Sequence, residues 1–153
     1  MERRQIGVIG AGSCSEEIYE LALRVGREIA RLGHILVCGG LGGVMEAACR
    51  GAKEAGGLTV GILPGPSKDA ANRWVDVVIA TDMGHARNVI IVHSSDGLIA
   101  ISGGPGTLSE IAIALKTSKP VVSLKSFALD GLLPQAQGPE EAVQMLLKML
   151  EGR

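Results

Sequence analysis

Short apolar runs alternate with amphipathic stretches along the chain, a pattern typical of proteins built from β-α-β units. The apolar runs predict six buried strands, at residues 5–11, 34–38, 59–63, 75–80, 97–101 and 121–124. The amphipathic stretches carry apolar residues three and four positions apart and predict helices at residues 15–32, 43–55, 107–118 and 139–150. The alternation indicates a mostly parallel sheet with helices packed against both of its faces.

One apolar segment fits two structures. Residues 89–92 (VIIV) precede a short polar stretch and the apolar run at 97–101, so β propensity alone would allow a hairpin. A short buried helix keeps the β-α-β alternation intact, and we favour it for that reason. With this helix, residues 1–153 are predicted to form a single α/β domain with a Rossmann-like, doubly wound sheet.

Composition narrows the class of protein. The chain has 153 residues, of which 22 are glycine, three are aromatic and 46% are apolar. Disordered chains carry too few apolar residues to form a core, so this apolar content places the glycines at turns of a folded protein. The scarcity of aromatic side chains disfavours a surface that stacks single-stranded nucleic acid.

Charge and cysteine content exclude further classes. The net charge of −1 provides no basic surface for nucleic acid or an anionic membrane. No apolar run approaches the roughly 18–20 residues of a membrane span. The cysteines are Cys14, Cys38 and Cys49, an odd number without C-x-x-C spacing, which disfavours a disulfide framework or a zinc site. We therefore expect a cytoplasmic protein with reduced thiols, no metal site, and no nucleic-acid or membrane partner.

The glycines cluster where predicted strands end. Three loops, after the first, second and fifth strands, carry the candidate ligand-binding residues: Gly10, Gly12, Ser13; Gly39, Gly40, Gly42, Gly43; and Gly103, Gly104, Gly106, Thr107. Each loop precedes a helix, whose N-terminal amides and dipole favour an anion such as phosphate. Any single cluster is equally explained as a tight turn. Three clusters at one edge of one sheet favour a phosphate-bearing ligand.

Two common nucleotide-binding motifs are incomplete or absent. Gly10 and Gly12 begin the G-x-G-x-x-G pattern, but Ser15 holds the third position. The second strand ends in Cys38-Gly39-Gly40 instead of the acidic residue that binds ribose in dinucleotide-binding enzymes, which disfavours NAD. The chain also lacks G-x-x-x-x-G-K-[ST], which disfavours P-loop chemistry.

Two residues at the same edge carry candidate chemistry, Arg87 and Glu110. Thr107 and Glu110 fit a T-x-x-E capping box, which alone would explain both. In the functional alternative, Glu110 lies in the first helical turn and meets a ribose hydroxyl or a developing oxocarbenium ion. Arg87 could hold a phosphate with its planar guanidinium, or be an exposed arginine at a helix start.

Three segments together resemble the "lonely guy" superfamily. They are Gly103–Glu110 (GGPGTLSE), Met83–Arg87 (MGHAR) and Gly39–Ala48 (GGLGGVMEAA). The resemblance runs from Ile6 to about Leu124, and further details such as Ala112–Pro120 are similar to the molybdenum-cofactor carrier branch. The superfamily also includes cytokinin riboside 5′-monophosphate phosphoribohydrolases.

The resemblance implies a Rossmann-like homodimer whose ligand pocket lies near the subunit interface. It implies that the glycine loop holds a phosphate and that, in the hydrolase branch, Arg87 and Glu110 are catalytic. The sequence departs from the hydrolase pattern at Ser102, Asn88 and Ser109, where that branch has Pro, Lys and often an acidic residue. No motif for pyridoxal phosphate supports the lysine decarboxylase label given to some members.

Two functions follow from the resemblance. The first is a binding protein for a phosphorylated small molecule, either molybdenum cofactor as a carried ligand or a nucleotide. The second is a hydrolase that cleaves the N-glycosidic bond of a nucleoside 5′-monophosphate and needs no cofactor. An open pocket that both Arg87 and Glu110 enter would favour hydrolysis, whereas a Glu110 folded back as a cap would disfavour it.

Overall fold

The computed structural model describes residues 2–153, so Met1 of the predicted domain lies outside the described part. The described residues contain a six-stranded parallel sheet, which confirms the predicted α/β class. The strands are β1 (Gln5–Gly10), β2 (Ile35–Cys38), β3 (Thr59–Leu63), β4 (Val77–Ala80), β5 (Gly97–Ile101) and β6 (Val121–Leu124). They lie in the order β4-β3-β2-β1-β5-β6.

Five helices cover the two faces of this sheet. They are α1 (Glu16–Arg31), α2 (Val44–Glu54), α3 (Arg87–Ser94), α4 (Pro105–Lys116) and α5 (Pro139–Leu150), with short 3-10 turns at Lys68–Ala70 and Gly84–Ala86. Helices α1, α2 and α5 share one apolar core with one face of the sheet. Helices α3 and α4 share a second core with the other face. None of the helices found between residues 2 and 153 is long and apolar enough to cross a membrane.

The ambiguous segment is helical. Residues 89–92 lie within α3, so the predicted helix is confirmed and the hairpin alternative is wrong. Ile91 and Val92 of α3 are buried in the second core, and this burial, which β propensity does not capture, decides the structure. Two predicted strands begin later than expected, β2 at Ile35 and β4 at Val77.

Local signals fix the ends of α1. The hydroxyl of Ser15 accepts a hydrogen bond from the amide of Ile18 (3.2 Å), which caps the first turn. Gly33 follows the last turn with φ of +86°, a left-handed conformation that glycine adopts without strain, as the sequence predicts.

The small residues of α2 allow it to pack closely against α1. A Cβ atom at Gly51 would overlap the backbone carbonyl of Leu23, and one at Gly26 would overlap that of Ala48. The backbones of α1 and α2 therefore touch, and this contact adds to the close approach to the sheet that the sequence suggests. Ala55, predicted on the inner face, is exposed.

The strand order creates a crevice at one edge of the sheet. From β1 the chain turns to β2, β3 and β4 on one side, and α3 then carries it across to β5 on the other side of β1. At such a point the connections leave in opposite directions, so the carboxyl ends of β1 and β5 stay uncovered. The loops that begin at Gly10 and Ser102 meet at this point.

Candidate functional site

A cavity of about 540 Å³ opens at the carboxyl ends of β1, β2 and β5. Most of the predicted site residues line it: Gly10, Gly12, Gly39, Gly104, Gly106, Thr107, Arg87 and Glu110. Its size lies within the range of small-molecule sites in proteins. The structure therefore brings residues from all three glycine loops together with both candidate chemical groups.

The remaining predicted residues do not line this cavity: Ser13, Gly40, Gly42, Gly43 and Gly103. Two of them shape the loops instead. Gly43 has φ of +60° immediately before α2, and Gly103 has φ of +105° and lies against the side chain of Thr107. Both conformations disfavour other residues, so these glycines support the cavity through the backbone.

Helix α4 presents free amides to the cavity. The helix begins at Pro105, and its N-cap, Gly104, has no side chain to cap it. Proline has no N–H, so the first free donors are the amides of Gly106 and Thr107, which have no partner within the helix. With the positive end of the helix dipole behind them, these donors favour an anion.

The predicted capping box is wrong. Thr107 is the third residue of α4 rather than its cap, because the helix starts two residues earlier, at Pro105. Glu110 consequently lies in the second turn, not in the first turn as the functional alternative assumed. Its side chain nevertheless lines the cavity and does not fold back onto the start of the helix.

The carboxyl group of Glu110 is buried, and no group among residues 2–153 donates a hydrogen bond to it. The residue is 6% exposed, and burial raises its pKa to about 7, an effect that the positive charge of Arg87 opposes. Near neutral pH the group therefore holds a proton part of the time. A carboxyl group of this kind can change its charge within the cavity at ordinary pH.

Arg87 supplies the positive charge of the cavity. It is the first residue of α3 and is half-buried, and its Nη1 donates a hydrogen bond to Oδ1 of Asn88. Its Nε is buried and has no partner among the described residues. Burial lowers the pKa of Arg87, whereas the neighbouring Glu110 and Cys38 raise it. Among the described residues the guanidinium makes one hydrogen bond, through Nη1, so Nη2 remains a donor for an anion.

The second glycine loop makes room for this arginine. A Cβ atom at Gly39 would lie 2.7 Å from Nη2 of Arg87, closer than side chains normally approach. Glycine at this position therefore lets the guanidinium lie directly against the end of β2. The sequence suggests a turn or an anion contact here but gives no sign that the loop packs on Arg87.

Sequence reasoning missed the contact between Asn88 and Ser109. Nδ2 of Asn88, which is 4% exposed, donates to Oγ of Ser109 (3.2 Å), and that hydroxyl donates to the carbonyl of Gly106 (2.6 Å). These residues are two of the three departures from the hydrolase pattern. The hydrogen bonds that connect Arg87, Asn88 and Ser109 join α3 to the first turn of α4.

Much of the remaining cavity lining is apolar. It includes Val8, Ile9, Leu41 and Met45, together with the exposed His85. Sequence patterns predict only structural or surface roles for these residues, since nothing in the apolar pattern separates a cavity wall from a core. The site therefore combines hydrogen-bond donors for an anion with apolar surface for an uncharged ring system.

Comparisons with known proteins agree with this site. The profile of the SLOG cluster4 family matches residues 3–149. The chain is also 40% identical over 99 residues to a cytokinin riboside 5′-monophosphate phosphoribohydrolase of Mycobacterium tuberculosis, covering 62% of this chain and 52% of the relative. It thus spans about half the length of that enzyme. The predicted resemblance is confirmed.

Two solved structures match nearly the whole chain. The molybdenum cofactor binding protein from the phototrophic bacterium Rippkaea orientalis has a TM-score of 0.92 at 39% identity, covering 98% of this chain and 99% of the other. The molybdenum cofactor carrier protein of Chlamydomonas reinhardtii has a TM-score of 0.88 at 39% identity, covering 99% and 100%.

The burial of Glu110 predicts a pH-dependent stability. Between its ordinary pKa of 4.5 and about 7, the unfolded chain loses this proton while the folded chain retains it, so stability falls as pH rises through that window. Glu110→Gln removes the cost of ionising a buried carboxyl group and should therefore raise the free energy of unfolding by about 3 kcal/mol at pH 8. At pH 4 the carboxyl group is protonated in both the folded and the unfolded chain, so its ionisation should contribute nothing to the difference between the two proteins.

Urea unfolding of both proteins at pH 4, 6 and 8 measures this difference. Glu20→Gln, an exposed position on α1, is the matched control and should show no comparable gain. A gain for Glu110→Gln that does not change with pH would contradict the assignment of a buried, titrating carboxyl group.

Proposed function

The chain belongs to the SLOG cluster4 family, and from that premise we propose that it binds a phosphorylated small molecule, with molybdenum cofactor as the favoured ligand. The observation that carries the proposal is the convergence of Arg87 and the free amides of Gly106 and Thr107 on one cavity. The two solved structures that match the chain almost end to end, a molybdenum cofactor binding protein and a carrier protein, favour a phosphorylated pterin over other ligands.

The cavity provides both a positive charge and hydrogen-bond donors for a phosphate group. The amides of Gly106 and Thr107 are fixed by the helix, so they lose little freedom when an anion binds. Arg87, which lines the same cavity, adds a charged donor. In this proposal the phosphate lies at the start of α4, and the glycines of the first loop leave room for the adjoining part of the ligand.

The rest of the ligand would meet aliphatic walls. None of the aromatic residues, Tyr19, Trp74 and Phe127, lines the cavity. A ring system is therefore held by contact with side chains such as Ile9 and Met45 rather than by aromatic stacking. Most of the binding energy is expected from the phosphate end, which makes affinity depend strongly on Arg87.

Arg87→Ala should weaken the binding of phosphorylated ligands by about 10- to 100-fold, the usual worth of a charge-assisted hydrogen bond. Calorimetric titration with molybdenum cofactor, AMP and adenosine measures these affinities. Adenosine, which lacks the phosphate, should bind weakly to both proteins. Arg3→Ala, at an exposed arginine far from the cavity lining, is the control. Unchanged affinity in Arg87→Ala, or no saturable binding of any phosphorylated ligand to the wild type, would overturn the proposal.

A second candidate function is supported by Glu110. Its carboxyl group lines the same cavity as Arg87 and is not consumed by a cap, the arrangement expected of a nucleoside 5′-monophosphate phosphoribohydrolase. With the phosphate at α4, an ionised Glu110 would stabilise positive charge on the anomeric carbon and orient the attacking water. The 40% identity to a phosphoribohydrolase agrees with this candidate.

The hydrolase candidate predicts that AMP is converted to adenine and ribose 5-phosphate. Because the reaction needs the carboxylate, kcat/KM should rise with pH through about 7. In Glu110→Gln, kcat/KM should fall by about 100-fold or more and should no longer rise with pH. Glu20→Gln should keep both the wild-type kcat/KM and its rise with pH. Chromatographic detection of the released base gives the rates. If turnover survives in Glu110→Gln, the role given to Glu110 is wrong.

We also propose that the protein is a homodimer. Val77 and Ile79 of the edge strand β4 are each 44% exposed. Their register partners Val60 and Ile62 pack in the core shared with α3, so both side chains point to the face that α3 covers. Val89 of α3 is also exposed, at 40%. A second copy would cover this apolar face, which begins two residues from Arg87.

Light scattering should give a mass of twice 15.8 kDa for the wild type. The double variant Ile79→Glu, Val89→Glu should be monomeric, because it places charges on the face that the second copy covers. Leu132→Glu, at an apolar side chain that is 66% exposed elsewhere, should remain dimeric. A monomeric wild type, or a double variant that still dimerises, would contradict the proposed interface.

A further inference from the structure

We propose that Cys38 and Cys49 form an intramolecular disulfide when the folded protein meets a peroxide. The pair lies behind the second glycine loop and takes no part in either function proposed above. The inference depends only on the two thiols and their surroundings, so it stands or falls independently of the ligand.

The two sulfur atoms are already close. Sγ of Cys38, the last residue of β2, lies 3.4 Å from Sγ of Cys49 on α2. A disulfide requires about 2.05 Å between the sulfurs, so the two atoms must approach each other by a little over 1 Å. Both residues are fully buried, which holds the thiols in this arrangement and shields them from other thiols.

The surroundings make the two thiols unequal. The amide of Gly40 donates a hydrogen bond to Sγ of Cys38 (3.3 Å), and the charge of Arg87 also favours a thiolate there. Either sulfur could donate in the contact between the two thiols, but when Cys38 is a thiolate it accepts from the thiol of Cys49. This hydrogen bond lowers the pKa of Cys38 and raises that of Cys49. Cys38 is the nucleophile and Cys49 the resolving thiol.

Hydrogen peroxide supplies the oxidant for a balanced reaction. The thiolate of Cys38 attacks one peroxide oxygen, the O–O bond breaks, and a sulfenic acid and hydroxide form. The sulfur of Cys49 then attacks the sulfenic sulfur, forming the S–S bond and breaking the S–O bond. The Cys49 proton and the hydroxyl leave as water. The two thiols lose two electrons, and the peroxide is reduced to water.

The cavity wall bears on both how the peroxide reaches Cys38 and what the disulfide would change. Gly39, which follows Cys38, lines the cavity, and in this proposal the peroxide reaches the sulfur from that side. The disulfide would close a covalent ring over residues 38–49. That ring contains the whole second glycine loop, including Gly39, against which Arg87 packs.

Mass spectrometry of the full chain tests the proposal. The folded protein is treated with hydrogen peroxide, quenched, unfolded and alkylated, and its mass is measured before and after reduction. We expect most molecules to lose two hydrogens and to retain one alkylatable thiol, Cys14. In Cys14→Ser the same loss should occur, which shows that Cys14 is not required.

Cys49→Ser separates the steps. It should form no internal disulfide, and its Cys38 should instead react with a probe specific for sulfenic acids. The proposal is overturned if Cys38 and Cys49 both remain alkylatable while Cys14 is oxidised, because the oxidant was then active and the pair inert. It is also overturned if the disulfide formed joins Cys14 to another cysteine or links two chains.

Discussion

The strand order changes direction between β1 and β5, and this change determines where the protein has an open crevice. Because the connections from β1 and β5 leave toward opposite sides, no helix covers the carboxyl ends of these strands. The loops that follow them must turn sharply into helices, and glycines make those turns possible. Helices from both faces then direct their N-terminal ends at one crevice. The meeting of helix N-termini, whose free amides favour an anion, thus follows from the topology before any side chain is considered.

Two buried ionisable groups decide what the crevice can do. Arg87 and Glu110 share a cavity from which water is partly excluded, and they form no direct hydrogen bond in the described structure. A protonated Glu110 leaves the positive charge of Arg87 available to an anionic ligand, which suits a carrier. An ionised Glu110 provides the negative charge that a glycosidic transition state needs, which suits a hydrolase. The raised pKa of this carboxyl group places the protein between the two behaviours at neutral pH.

Much of the fold could be predicted, since each strand is a short apolar run and each helix has an apolar face. The edge strand β4 was predicted two residues too long, because Val75 is apolar but packs beside the strand rather than in it. The start of α4 was misplaced because the T-x-x-E signal competed with a proline that can occupy the first helical turn. The contact between Asn88 and Ser109 and the meeting of Cys38 with Cys49 could not be predicted. Both depend on how separate elements pack, which local patterns do not encode.

The central claim is that a phosphorylated ligand binds between the start of α4 and Arg87. Nuclear magnetic resonance of ¹⁵N-labelled protein during titration with a phosphorylated ligand tests it at the level of single residues. We expect the amide signals of Gly106 and Thr107 to shift most, and amides at the opposite edge of the sheet, such as that of Lys119, to stay unchanged. Larger shifts at that opposite edge, with Gly106 and Thr107 unaffected, would contradict it.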